Sequence, residues 1–287
     1  MKEPEYLLDH GGFLGATKEY GKARAVIFGV PMDFTVSFRP GARMGPRKIR
    51  EVSYGLEDYS IYAGGSLKDV HFFDAGDVDI PFGNVERSLD IIERVTARLL
   101  DDGKIPVVLG GEHLISYPVI KQVARRCPDL VVVHFDAHAD LRDTFFGESL
   151  SHATVMRRVY EHVGEKRLYQ FGIRSGIKDE FDFAKKHTNM YPLEVVEPFK
   201  NVYDDLKGKP VYVTLDIDVV DPAFAPGTGT PEPGGCSSRE ILKVISLLRE
   251  LKVVGFDLVE VSPAADLSER TSLLAAKILR EVLIALG

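Results

Sequence analysis

The stretch DLVVVHFDAHAD (129–140) decides how the chain is read. Its first half is an unbroken apolar run rich in valine, the pattern of a strand buried on both faces. Its second half sets Asp136, His138 and Asp140 at the strand's carboxyl end. The same plan recurs in KPVYVTLDID (209–218), closed by Asp216 and Asp218, and in KIPVVLG (104–110), after which His113 opens a loop. ARAVIFGV (24–31), KRLYQFGI (166–173) and LKVVGFDLVE (251–260) read as further strands. Helical patterns fill the intervals at 85–103, 114–126, 180–187, 237–250 and 269–286. Strands separated by helices of this length predict βαβ units and a mainly parallel sheet covered on both sides. The Pro/Gly-rich DPAFAPGTGTPEPGG (221–235) falls between strand and helix and reads as a loop, so one domain over residues 1–287 is expected.

In such sheets ligands bind beyond the carboxyl ends of the strands. Asp136 to Asp140, Asp216 to Asp218, Glu260 and His113 all fall at predicted strand ends, so they share one rim. Residues i, i+2 and i+4 of an extended chain point the same way. On that reading Asp136, His138 and Asp140 share a face, as do Asp216 and Asp218. His134 has the same parity but lies deeper in its strand, as core or support. Four clustered aspartates would repel one another and shift each other's pKa values unless cations neutralised them. Two divalent cations do so. Oxygen-rich donors with two imidazoles and no thiolate favour Mn²⁺, with Co²⁺, Fe²⁺ or Zn²⁺ as alternatives. A two-metal site activates water near neutral pH, which makes a hydrolase the expected class. Either Asp/His run alone is as well explained by loop caps; three strand ends together are not.

The bulk composition fits that class. The chain has 287 residues, 45% of them hydrophobic and 28% charged, with a net charge of −7. Its acidity points away from nucleic acid and toward a cationic substrate. No apolar run reaches the roughly 18 residues of a spanning helix, and MKEPEYLLDHGG does not resemble a signal peptide, so a cytoplasmic protein off the membrane is expected. Cys127 and Cys236 form no C-x-x-C, which suits a reduced compartment without a disulfide framework. The basic residues Arg39, Arg43, Arg47, Lys48 and Arg50 stand near Gly45-Pro46, which reads as a loop leading into a helix; they are expected at the site entrance or a subunit contact. G-T-G-T (227–230) lacks the G-K-[ST] of a phosphate loop.

At this point the residues resemble the ureohydrolases, the family of arginase, agmatinase and relatives. The resemblance spans nearly the whole chain. It rests on GVPMDFTVSFRPGARMGPRKIR (29–50), GGEH (110–113), FDAHAD (135–140), SHATVMRR (151–158), LDIDVVDPAFAPGTGTPEPGG (215–235) and VEVSPAAD (259–266). It implies the arginase-like three-layer α/β/α fold. It also implies that His113, Asp136, Asp140 and Asp216 hold one Mn²⁺, and that Asp136, His138, Asp216 and Asp218 hold the other. His152 matches the histidine that shuttles protons, Glu260 the carboxylate that holds the guanidinium, and Thr230 a threonine beside it. Asp140 counts among the catalytic residues on the same basis. A homo-oligomer, hexamer or trimer, is implied as well. The chemistry agrees with these roles. A guanidinium is always charged and offers a fork of donors that suits a carboxylate, and a histidine with an unperturbed pKa near 6.5 suits protonation of the leaving amine.

The substrate's far end separates members of the family. Arginases carry an Asn two residues after the last aspartate of the metal motif; here that position is Arg142. The pattern S-H-x-T-x-x-R-R is closest to shorter bacterial agmatinases, which release putrescine and urea from agmatine. Aminopropylagmatine, guanidinobutyrate and arginine are the alternatives, with Arg142 and Arg157 as possible partners of a substrate carboxylate. Leu114, Ala153, Val155 and Ser262 depart from the common pattern, and positions 153–156 are expected near the entrance. A non-catalytic binding homologue is the rival reading, but such proteins lose a metal ligand or the shuttle histidine and this chain keeps all of them.

Overall fold

The computed structural model describes residues 7–8 and 11–287. The N-terminal stretch read for a targeting signal lies mostly outside them. Nine strands form the main sheet: β1 (Leu7–Leu8), β2 (Ala25–Val30), β3 (Phe72–Val78), β4 (Ile105–Gly110), β5 (Val131–Phe135), β6 (Leu168–Ile173), β7 (Asn189–Pro192), β8 (Pro210–Asp216) and β9 (Lys252–Val259). Their order across the sheet is β1-β3-β2-β4-β9-β8-β5-β6-β7. Only β1 runs antiparallel, against β3; every other neighbouring pair is parallel.

Helices α1 (Gly45–Ser53), α2 (Val85–Asp101), α3 (Ser116–Arg126), α4 (Val155–Val163), α5 (Lys178–His187), α6 (Val196–Leu206), α7 (Ser238–Ser246) and α8 (Arg270–Leu286) cover both faces. Alternate strand residues feed two cores. Ile27, Val107, Val133 and Val213 pack with α1, α6, α7 and α8. Val26, Val108, Val132 and Tyr212 pack with α2, α3, α4 and α5. This is the expected three-layer α/β/α arrangement, because a strand apolar at every position must be covered on both sides.

The apolar runs locate six of these strands. Two others were illegible for physical reasons. In FFDAGDV (72–78) Asp74 and Asp77 interrupt the pattern, yet both are paired with Arg50. NMYP (189–192) forms a short edge strand, where polar residues and proline are tolerated. Helix α6 was hidden because Pro198 reads as a breaker, although proline is tolerated in a helix's first turn. The four strands β4, β9, β8 and β5 are consecutive in the sheet. Their carboxyl ends therefore stand side by side, and these are the ends that carry His113, Glu260, Asp216 and Asp136.

Candidate metal centre and substrate pocket

The GG of GGEH builds the first wall. A Cβ on Gly111 would lie 2.1 Å from the Met32 carbonyl oxygen, so only glycine fits. The close approach lets Gly111 N–H donate to the Val30 carbonyl and Glu112 N–H to the Met32 carbonyl (3.1 and 2.7 Å), which fixes the loop that delivers His113. His113 Nε2 faces Thr214 Oγ1 at 2.9 Å, and that hydroxyl donates to Asp257 Oδ1 at 2.6 Å. Thr214 therefore accepts from Nε2–H, which turns Nδ1 toward the carboxylates. Nδ1 lies 3.0, 3.2 and 3.5 Å from oxygens of Asp136, Asp140 and Asp216. It is buried without a hydrogen-bond partner.

The D-A-H-A-D run does not work by strand parity. Strand β5 ends at Phe135, and residues 136–140 leave the sheet apart from a single bridge between His138 and Ser175. Asp140 reaches the cluster because its backbone is left-handed (φ 54°). Its carbonyl accepts from Met156 and Arg157 N–H (3.0 and 3.2 Å), free donors of the first turn of α4, which hold the strained residue in place. Asp216 ends β8, and Asp218 sits in the helical turn Ile217–Val219, its N–H donating to Asp216 Oδ1 at 2.8 Å. Ala137 N–H donates to Asp218 Oδ1 at 3.0 Å, which leaves Oδ2 unpartnered 2.9 Å from His138 Nδ1.

Two overlapping groups of donors result. His113, Asp136 and Asp140 converge in one, together with His134 and with Asp216 at its edge, 3.5 Å from His113 Nδ1; Asp136, His138 and Asp218 form the other. His134 is close enough to be a donor by distance, at 2.8 Å from Asp136 Oδ2. Its Nδ1, however, accepts from Gln170 Nε2, whose amide is oriented by the Thr188 hydroxyl and the Ala139 carbonyl. His134 therefore donates Nε2–H to Asp136 and supports it. The cluster is a buried histidine–aspartate cup suited to metal. Orphaned donors and a surplus of carboxylates fit divalent cations. Burial, and Asp136 beside it, push Asp140 up to about 7; burial and neighbouring carboxylates raise Asp216 as well.

The cup opens into a cavity of about 270 Å³ whose lining includes Glu260, His152, Thr230, Arg142, Phe145 and Glu180. Glu260 stands one residue past β9 in a left-handed conformation (φ 63°). Its Oε1 accepts from His113 N–H at 2.8 Å, so Oε2 is the oxygen left for a ligand. Burial and the nearby Glu112 raise its carboxyl to about 8. His152 follows the capping residue Ser151, and burial lowers its imidazole to about 4. It is therefore neutral and must accept a proton before it can give one. Thr230 comes from the loop at 221–235, which Arg174 pins by donating to the carbonyls of Glu232, Pro233 and Asp218.

Sequence reasoning missed Ser37, Phe145, Ser175 and Glu180 among the lining residues. Glu180 is buried and accepts from Leu141 and Ile177 N–H (2.8 and 2.9 Å). A charged side chain on a helix gives no such signal by itself. Of positions 153–156, Ala153 lines the cavity, while Val155 and Met156 point into the core. Arg157 stacks on Phe183 at 3.8 Å rather than lining the cavity; Arg142 does line it, over the Phe145 ring and 3.5 Å from Glu180. The basic group near Gly45 is dispersed. Arg50 is buried, and Lys48 pairs with Glu51 and Glu269.

A parallel sheet whose central strand ends carry a buried histidine–aspartate cup defines a metallohydrolase scaffold. The chain belongs to the arginase family, whose pattern matches residues 23–285. It is 52% identical over 275 residues to an agmatinase of Bacillus anthracis, covering 95% of both chains. The agmatinase of Bacillus subtilis (strain 168) matches at the same identity and coverage. The solved structure of the agmatine ureohydrolase of Thermoplasma volcanium superposes with a TM-score of 0.87 at 35% identity, over 97% of this chain and 94% of that one. This protein is accordingly an enzyme of the arginase-family hydrolases.

Proposed function

We propose that this enzyme is a dinuclear manganese hydrolase that cleaves agmatine to putrescine and urea. The observation that carries the reading is one cavity holding the metal cup, the single available oxygen of Glu260 and the neutral His152. His113, Asp136, Asp140 and Asp216 would hold one cation. Asp136, His138, Asp216 and Asp218 would hold the other, with Asp136 and Asp216 shared. Bound there, the cations supply Lewis acidity and the acidified water that hydrolysis at neutral pH needs.

The chain's own residues do the rest. Glu260 Oε2 takes one N–H of the substrate guanidinium, and its other oxygen stays tied to the His113 backbone, so substrate and metal loop are held in register. Thr230 flanks the guanidinium. His152, neutral at the start, takes a proton at Nε2 and delivers it to the amine nitrogen as the C–N bond breaks. The acidic lining suits a cationic tail. The relatives' substrates and the acidic cavity favour agmatine over aminopropylagmatine, guanidinobutyrate and arginine. We place the enzyme in the cytoplasm, as one catalytic domain per chain in a homo-oligomer, serving polyamine synthesis. No helix among the described residues is long and apolar enough to cross a membrane.

Urea release by manganese-loaded protein across the four guanidino compounds tests the reading. Agmatine is expected to give the highest kcat/KM. No urea from any of them, with two metals bound per chain, would sink it.

A further inference from the structure

The glutamate of GGEH has no role in the reaction as derived so far, yet it is wholly buried beside the site. Glu112 Oε1 accepts from Phe34 N–H at 2.9 Å, Oε2 accepts from Thr35 N–H at 3.0 Å, and the Thr35 hydroxyl also donates to Oε2. A hydroxyl has one proton. Where Glu112 is ionised, Thr35 gives it that proton and Thr35 Oγ1 can only accept on its other side. There it accepts from His152 backbone N–H at 3.0 Å and faces His152 Nδ1 at 3.4 Å. The second imidazole nitrogen, Nε2, faces Ser37 Oγ at 3.3 Å, and both His152 and Ser37 line the cavity. The Phe145 ring packs edge-on against the imidazole, with centroids 5.5 Å apart, and limits its rotation.

We infer that Glu112, acting through Thr35, is a positioning device that holds His152 in the Nδ1–H tautomer with the Nε2 lone pair facing the substrate. Had Thr35 kept its proton for His152, Nδ1 would be the acceptor and Nε2–H would face the cavity. A neutral imidazole in that form cannot accept a proton from the reacting water. Ser151 Oγ also stands at Nδ1, at 3.3 Å, so the direction of the Thr35 O–H biases which nitrogen carries the proton, and with it the direction of proton flow. This inference rests on the shuttle role of His152 proposed above, but the tautomer is measurable without it.

Thr35→Val removes the hydroxyl at nearly constant volume, and Thr35→Ser restores it. In Thr35→Val, kcat with agmatine is expected to fall by about tenfold or more with KM and metal content unchanged, since a positioned general base contributes at least that much. Thr35→Ser should recover most of the loss. In a His152→Ala background, Thr35→Val should cost nothing further. Solid-state ¹⁵N spectra of histidine-labelled, zinc-loaded protein supply the direct readout. The signal lost in His152→Ala should report a protonated Nδ1 in the wild type and an altered mixture in Thr35→Val. A protonated Nε2 in the wild type, an unchanged tautomer in Thr35→Val, or a Thr35→Ser as slow as Thr35→Val would overturn the inference. If the wild type released no urea from any guanidino compound, the shuttle role would fall while the spectra still decided the tautomer.

Discussion

Two groups of buried aspartates among the described residues are neutralised in opposite ways. Beneath α1, Asp74 and Asp77 share Arg50: the guanidinium meets Asp74 through two donors at 2.8 and 2.9 Å and reaches Asp77 with a third. Here the chain supplies its own cation, in the bidentate geometry that makes such a pair tolerable in low dielectric. At the ends of β5 and β8, Asp136, Asp140, Asp216 and Asp218 are equally buried, and no lysine or arginine among the described residues pairs with them. Backbone N–H groups and imidazoles satisfy some of their oxygens, and two donor atoms stay orphaned. The first group is complete within the chain; the second is complete only with cations from outside. A polar cluster that folding leaves unfinished is where a function should be sought.

The contrast can be broken by removing one carboxylate or one cation. Asp136→Asn removes the charge and one oxygen of a donor common to both metal groups. Turnover should fall about a thousandfold or more, as loss of the main electrostatic element of a site does. The metal-free protein should lose far less stability than activity, the loss coming from His134 and the His138 N–H, which give up a charged partner. Unchanged turnover in the urea assay would contradict the shared-ligand assignment. Arg50→Met removes the cation that two buried carboxylates share, and about 3–5 kcal/mol of stability should go with it, read from urea denaturation. Metal content of the folded fraction should hold. A loss under about 1 kcal/mol would mean that the two carboxylate groups are not different in kind. His152→Ala should keep both metals and slow turnover by about a hundredfold; metal loss instead, seen by elemental analysis, would place this histidine in the cup.

The same two regions mark what the sequence could tell. The cup's residues were legible because strand-end aspartates and histidines are costly unless used, and three ends agreed. Their arrangement was not. Strand parity predicts one face for Asp136, His138 and Asp140, whereas a left-handed Asp140 brings the last of them round. Such a backbone state in a non-glycine residue depends on the α4 donors that hold it, and no local pattern announces those. The Arg50 pair was illegible in both directions: its aspartates hid β3, and its arginine read as part of an exposed basic group. Glu112 and Thr35 stood in quoted motifs, but their use depends on the closeness of two loops far apart in the chain. Periodicity and residue chemistry reach the strands and the donors; contacts set by tertiary packing lie beyond them.

The smallest predicted effect separates the two kinds of neutralisation most cleanly. In the metal-free protein Asp140 has a folded pKa of about 7 against an ordinary 3.8, raised first by burial and then by Asp136. The folded state then binds a proton that the unfolded chain has already lost, so stability is greatest at low pH and falls as pH rises from about 4 to about 7. His152 acts in the opposite sense: its folded value near 4 lies below 6.5, so its contribution is present above 6.5 and is lost as pH falls toward 4. Glu112, raised to about 7 by burial, shares the sign of Asp140. Neither His152 nor Glu112 is a metal donor, and burial is the first cause of both shifts, so most of their contribution is common to the metal-free and loaded forms. Subtracting the loaded curve from the metal-free curve isolates the cup. Loaded protein must keep its ligands deprotonated, so binding strengthens as pH rises. The gap in Tm between the two forms should widen by several degrees between pH 5 and pH 8, measured by thermal unfolding with and without chelator. In Arg50→Met the same widening should persist on a lower baseline, because that cation belongs to the chain. A gap that stays constant across this range would mean that the cup's carboxylates are already neutralised without metal.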